Sequence, residues 1–157
     1  MTLTSPSQAH ILELMSWFSD ADALLQWAGP GFRFPFDLTS FQEDLKANPD
    51  TAFALLSPTG ELLGFGQYYQ RLDKCHLGRL VINPAHRGQG LARELIQGIS
   101  EVGSQALAVK QCSLFVLAHN QAAIRAYQKA GFILTDYPEP LPLANCLYMV
   151  SSMATSN

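Results

Sequence analysis

The sequence is short of cysteine and of charge, and it has no long apolar run. Its three cysteines, Cys75, Cys112 and Cys146, are an odd number at wide spacing, with no CxxC pair. That pattern argues against a disulfide framework and against structural zinc. The thiols are read as reduced core residues of a cytoplasmic protein, and no metal site is expected. Charged residues make up 15% of the chain, and 10 Lys and Arg stand against 13 Asp and Glu. A nucleic-acid surface needs a basic excess to neutralise phosphates, so nucleic acid is not an expected partner. No apolar stretch approaches the roughly 18 residues that a membrane span needs. Met1–Ala9 lacks the basic-then-apolar order of a signal peptide, and no membrane association is expected.

What is present is a chain of 157 residues, 48% hydrophobic, long enough to bury a real core. One domain over residues 1–157 is expected, with the tail frayed from about residue 152. Met1–Thr4 reads as a short strand. Ser5-Pro6-Ser7 offers a helix start ahead of Ile11, Leu12, Leu14, Met15 and Phe18 at roughly helical spacing. Ser19 or Asp20 can cap a second helix, which Gly29-Pro30-Gly31 ends. Phe32–Phe36 is aromatic and irregular, and Thr39 reads as the N-cap of a helix through Ala47.

Residues 51–57 and 62–70 are strands around the turn Ser57-Pro58-Thr59-Gly60, and Cys75–Ile82 is a third, closed by Asn83-Pro84. Gly90–Leu107 follows as a long helix with Leu91, Leu95, Ile99 and Val102 on one face. Cys112–Leu117 is a short central strand, Asn120–Ala130 a helix with Gly131 at C′, and Phe132–Tyr137 and Leu143–Ser151 the last strands. Helices, then an antiparallel meander, then βαβαββ imply a mixed α/β sheet with helices on both faces.

Two segments carry chemistry. In the first, a strand runs into Asn83-Pro84-Ala85-His86-Arg87-Gly88-Gln89-Gly90-Leu91-Ala92 and a helix follows. Glycines let a backbone approach a ligand, and the unpaired N–H groups and dipole of a helix start attract anions. A lone Gly-x-Gly serves equally as a tight strand-to-helix turn. Arg93 stands where a dinucleotide fingerprint needs a small residue, and no Gly-Lys-Ser/Thr occurs. The second segment is Asn120-Gln121-Ala122-Ala123-Ile124-Arg125-Ala126-Tyr127-Gln128-Lys129-Ala130-Gly131-Phe132, which places Asn120, Ile124 and Tyr127 on one helical face. On its own it also reads as an amphipathic helix that buries Ile124 and Tyr127.

Together, and in this order, the two segments resemble the signatures of the GNAT (GCN5-related N-acetyltransferase) superfamily. Arg87-Gly88-Gln89-Gly90-Leu91-Ala92 matches its acyl-CoA motif Arg/Gln-x-x-Gly-x-Gly/Ala without a gap, and Asn120–Phe132 matches its second motif. The resemblance covers about residues 53–149. It implies an α/β (α+β) fold with a mixed, mostly antiparallel, splayed central sheet. It also implies acetyl-CoA as co-substrate, an amine acceptor, and a monomer or homodimer. Leu80, Val81 and Ile82 would line the thioester and pantetheine, Arg87, Gly88, Gln89, Gly90, Leu91 and Ala92 would take the pyrophosphate, and Asn120 and Tyr127 would also contact the cofactor.

By the same resemblance Tyr127 is the general acid. With tyrosine near 10 and a thiol near 8.5, full proton transfer is uphill by roughly 2 kcal/mol in water, which a desolvated thiolate narrows. Many family members carry a glutamate where this chain has Gly78. His76, on the same face two residues earlier, is the candidate base through a water, and solvent is the alternative. The acceptor side is expected over residues 17–36, with Trp27, Phe32, Arg33 and Tyr69 as candidate contacts and Arg33 drawing a carboxylate. An aromatic lid over the sheet edge is the competing reading of that segment. The activity implied is acetyl transfer to a primary amine of a small molecule or a peptide N-terminus; the alternative is a non-catalytic acyl-CoA-binding regulatory module.

Overall fold

A computed structural model describes residues 1–152. Most of the tail whose fraying was expected lies outside the described residues. The strands are β1 (Thr2–Thr4), β2 (Ala52–Leu56), β3 (Leu62–Arg71), β4 (Lys74–Ile82), β5 (Gln111–Leu117), β6 (Ile133–Thr135) and β7 (Cys146–Ser152). The helices are α1 (Gln8–Met15), α2 (Ala21–Ala28), α3 (Leu38–Leu45), α4 (Leu91–Leu107) and α5 (Gln121–Lys129), with a 3₁₀ turn at Pro84–His86. The seven strands form one sheet in the order β1-β2-β3-β4-β5-β7-β6. β1–β2, β2–β3, β5–β7 and β6–β7 pair antiparallel, and β4–β5 pair parallel. This is the mixed, mostly antiparallel sheet expected. Among the described residues no helix is long and apolar enough to cross a membrane.

Helix starts follow the capping chemistry of the sequence. Ser7 and Asp20 cap α1 and α2 through side chains that accept from the amides of His10 and Ala23. The start of α3 corrects the expectation at Thr39. Asp37 is the cap, accepting from the Ser40 amide at 2.8 Å, while the Ser40 hydroxyl bonds back to the Asp37 amide. A carboxylate two residues earlier captures the first-turn amides and leaves Thr39 inside the helix.

The chain divides into two compact units. Met1–Gln67 with Arg79–Leu91 form the first, and Tyr68–Gly78 with the described residues from Ala92 form the second. The core of the first is Ile11, Leu14, Phe18, Leu24, Phe41, Leu45, Ala52 and Phe65. In the second, Cys75, Leu77, Leu95, Ile96, Ile99, Leu114 and Met149 are almost wholly inaccessible. Here α4 departs from expectation at one position: Val102 is 41% exposed, because in that turn the buried face has passed to Ser100, Gly103 and Ser104. Gly103 marks a close approach. A Cβ there would lie 2.5 Å from Cys75 Sγ and 2.8 Å from Tyr68 Cγ. All three cysteines are buried free thiols.

Candidate active site

In the first unit, β4 carries Arg79, whose φ of 50° is left-handed within a continuous strand. The parallel register with β5 covers Cys75–Leu77 against Cys112–Leu114. The bend that follows is held from several sides. The Arg79 carbonyl accepts from the Trp27 indole N–H at 2.9 Å. Its guanidinium donates to Gln67 Oε1 at 3.1 Å and stands 5.2 Å over the Phe32 ring. Beyond the bend, Val81 packs on the core, so Leu80 and Ile82 point to the other face by alternation.

Asn83 then closes the strand. Its amide nitrogen donates to the Leu62 carbonyl at 2.9 Å, and its Oδ1 accepts from the Ala85 amide at 3.0 Å. The chain makes one 3₁₀ turn and enters the glycine loop. His86 sits against Glu61 at 2.6 Å, and this partner holds its pKa above the usual imidazole range. Gly88 and Gly90 have φ of 82° and 76°, with nothing within 4 Å of a Cβ placed on either. Conformation rather than crowding therefore demands glycine there. Arg87, Gly88, Gln89 and Gly90 are exposed, whereas Leu91 is buried. Gly90 has no side chain with which to cap α4, and a helix start carries partial positive charge. An exposed arginine, an open backbone and a positive helix end suit a pyrophosphate.

The aromatic segment of this unit packs inward except at Phe34, which is exposed. Trp27 stacks on Phe18 at 4.4 Å and lies edge-on to Phe32 at 5.9 Å and to Phe65 at 6.2 Å. Arg33 is engaged by two carboxylates, Asp44 at 3.0 Å and Glu43 at 2.8 Å, which raise its pKa further.

In the second unit, Tyr127 lies on α5, with its ring 6.4 Å from Phe132. The residue as a whole is half-buried. Its hydroxyl has no hydrogen-bond partner among the described residues, and desolvation pushes its pKa up to about 12. Asn120 caps α5, its Oδ1 accepting from the Ala123 amide at 3.2 Å. His76 is 2% exposed. Its Nδ1 meets Ser113 Oγ at 2.8 Å, and the Tyr69 and Phe115 rings flank it at 5.1 and 4.7 Å. Burial, with Arg71 nearby, depresses its pKa to about 3. A Cβ on Gly78 would sit 3.5 Å from Tyr69 Cε1, an ordinary contact. Tyr69 is 43% exposed.

Sequence reasoning missed Arg71. Its Nη1 donates to the Tyr137 hydroxyl at 2.9 Å and its Nη2 to the Tyr69 hydroxyl at 3.3 Å. Its guanidinium lies 5.2 Å from the Phe115 ring. The available signal was a lone arginine closing a strand after two tyrosines; no local motif joins it to Tyr137.

A strand with a left-handed residue runs into a glycine loop at a helix start, within a mixed sheet of this order. A family model described as "Acetyltransferase (GNAT) family" matches residues 21–132, and the chain belongs to that family. It is 37% identical over 84 residues to mycothiol acetyltransferase of Mycobacteroides abscessus, a match covering 50% of this chain and 28% of that protein. The chain spans about a third or less of the length of the curated relatives it matches. Among solved structures, a GNAT-family acetyltransferase from Bacillus anthracis superposes with a TM-score of 0.75 at 15% identity, covering 96% of this chain and 93% of that one. Spermidine N-acetyltransferase from Vibrio cholerae, in complex with CoA and spermine, gives 0.73 at 17% identity, over 97% and 95%. At these identities the two structures establish the fold.

Proposed function

We propose that the protein transfers an acetyl group from acetyl-CoA to a primary amine of a small molecule or a peptide N-terminus, by direct attack of the amine on the thioester. The observation that carries this reading is the setting of Tyr127, a desolvated hydroxyl without a partner on the helix of the second family motif. The amine nitrogen attacks the thioester carbon, a backbone N–H near Val81 or Ile82 donates to the oxyanion, and the C–S bond breaks. Leu80, Val81 and Ile82 hold the pantetheine, and residues Arg87 to Ala92 take the pyrophosphate.

Tyr127 donates to the departing sulfur. With its pKa pushed to about 12 against a thiol near 8.5, complete transfer is uphill by roughly 5 kcal/mol for a solvated thiolate. Tyr127 therefore acts as a hydrogen-bond donor until the thiolate is itself desolvated. His76, neutral across the physiological range, is too weak a base to take up the amine's proton, which the reading assigns to solvent. Asn120 serves its helix as a cap and the cofactor through its remaining amide donors. The reading further takes the chain as one cytoplasmic catalytic domain acting as a monomer or homodimer.

The test is thiol release from acetyl-CoA against a panel of amines: amino acids, polyamines such as the spermine bound by the Vibrio relative, aminoglycosides and N-terminal peptides. Tyr127→Phe is expected to lower kcat about 10- to 100-fold with little change in the KM for acetyl-CoA; an unaltered kcat removes Tyr127 from the mechanism. A second reading, a non-catalytic acyl-CoA-binding module, is favoured by Gly78, where no side chain can serve as base. Tight acetyl-CoA binding without turnover on any amine supports it.

A further inference from the structure

Arg33, the residue whose position in the sequence suggested carboxylate recognition, already has two carboxylates. Arg71 has none among the described residues. Its hydrogen bonds are to two neutral phenols, Tyr137 and Tyr69, and its faces are taken by the Tyr69 ring at 5.5 Å and the Phe115 ring at 5.2 Å. The one acidic side chain linked to it is Glu139, which accepts from the Tyr137 hydroxyl at 3.4 Å and is exposed.

A guanidinium has five N–H donors. Here Nη1 and Nη2 each use one of two, and the shielded Nε has no partner. A second unpartnered buried group belongs to the same cluster. Tyr148 is 4% exposed, its hydroxyl has no partner, and its ring packs on Tyr137 at 4.8 Å and on Phe115 at 5.7 Å. A half-buried cation braced by neutral hydroxyls, with spare donors on both Nη ends, is built for a planar anion. Within the same unit, Tyr69 is also the ring that borders Gly78 of β4.

We propose that Arg71, walled by Tyr69, Phe115 and Tyr137, recognises a carboxylate, and that the amine acceptor is a carboxylate-bearing amine of the α-amino-acid type. The acceptor half of this statement rests on the acetyl-transfer reading; the anion site does not. Its fork-on-fork contact with the carboxylate replaces water on the Nη ends while the tyrosine hydroxyls keep the guanidinium plane fixed.

The test reads binding without turnover. N-acetylated standard amino acids are titrated against their C-terminal amides by calorimetry on the full chain. The expected result is a preference of about 10- to 100-fold for at least one acid over its amide, falling to about one in Arg71→Gln and partly kept in Arg71→Lys, which retains the charge without the fork. Equal binding of acids and amides, no binding up to about 10 mM, or equal weakening of both in Arg71→Gln overturns the proposal. If Arg71→Gln does not fold, the acid-over-amide preference of the unaltered protein and its loss in Tyr137→Phe decide. Acids that bind through Arg71 while no amine is acetylated would sink the transferase reading and leave the anion site standing.

Discussion

Gly103→Ala is a substitution whose effect runs against helix propensity. In the interior of a helix, alanine is better than glycine by about 1 kcal/mol. At Gly103 the added Cβ would fall 2.5 Å from Cys75 Sγ, 2.8 Å from Tyr68 Cγ and 2.9 Å from Tyr68 Cδ1. Comfortable contact needs about 3.5–4.0 Å, so three contacts are too short by roughly an ångström. None involves the free end of a flexible chain: Cys75 is 0% exposed and Tyr68 6%, and the clashing tyrosine atoms are at the root of its ring. Overpacking of this kind destabilises by about 1–3 kcal/mol, and three short contacts place it at the upper end. After the propensity gain, a net loss of about 2 kcal/mol is expected, or roughly 4–8 °C in Tm for a chain of this size. Calorimetry and urea unfolding measure it. Cys75→Ala removes the shortest clash, so the double variant should be more stable than the sum of the single effects by about 0.5 kcal/mol or more. A Gly103→Ala protein as stable as the parent would refute the close packing of α4 against Cys75 and Tyr68.

Three further outcomes follow from the electrostatics and bonding. His76 has a folded pKa of about 3 against about 6.5 when unfolded, so the unfolded chain binds more protons between those values. Stability is therefore lost as pH falls from about 6.5 towards 3, by at most about 5 kcal/mol, and His76→Gln should flatten that part of the pH profile; a profile with the same slope contradicts the buried neutral imidazole. His86 is shifted the other way by Glu61. Its stabilising contribution is present below about pH 6.5 and disappears as pH rises through the raised folded pKa, so an NMR titration should place that pKa above the ordinary imidazole value and Glu61→Gln should return it. Trp27→Phe keeps an aromatic ring but withdraws the donor from the Arg79 carbonyl; a loss of about 1–3 kcal/mol in urea unfolding is expected, and none would mean that water replaces the indole.

The elements that the sequence makes legible are those governed by local chemistry. Strand boundaries at Ser57–Gly60 and Asn83–Pro84, the cap at Asp20 and the stop at Gly131 are written in residues that act on their own neighbourhood. The glycine loop was legible because two positive φ angles admit little else. The turn from β3 to β4 was not: Leu72 and Asp73 both carry positive φ, 50° and 60°, the geometry of a two-residue hairpin turn whose usual mark is Asn-Gly. Arg79, left-handed in mid-strand, gave no signal either, since tertiary partners hold it there. Arg71, Phe115 and Tyr137 meet only through sheet topology, and Arg33 looked available because its partners Asp44 and Glu43 lie on the next helix.

The bend in β4 has a consequence for how this protein can diversify. Trp27 and Phe32 belong to the segment where the resemblance places the acceptor side, yet here the indole donates to the Arg79 carbonyl and the Phe32 face supports the Arg79 guanidinium. A replacement that reshapes this aromatic segment also loosens the backbone leading into Leu80–Ile82. Substitutions at 27 and 32 should therefore be tolerated mainly in combination with changes at 67 or 79. Substitutions at Tyr69, Arg71 or Tyr137 leave that brace untouched.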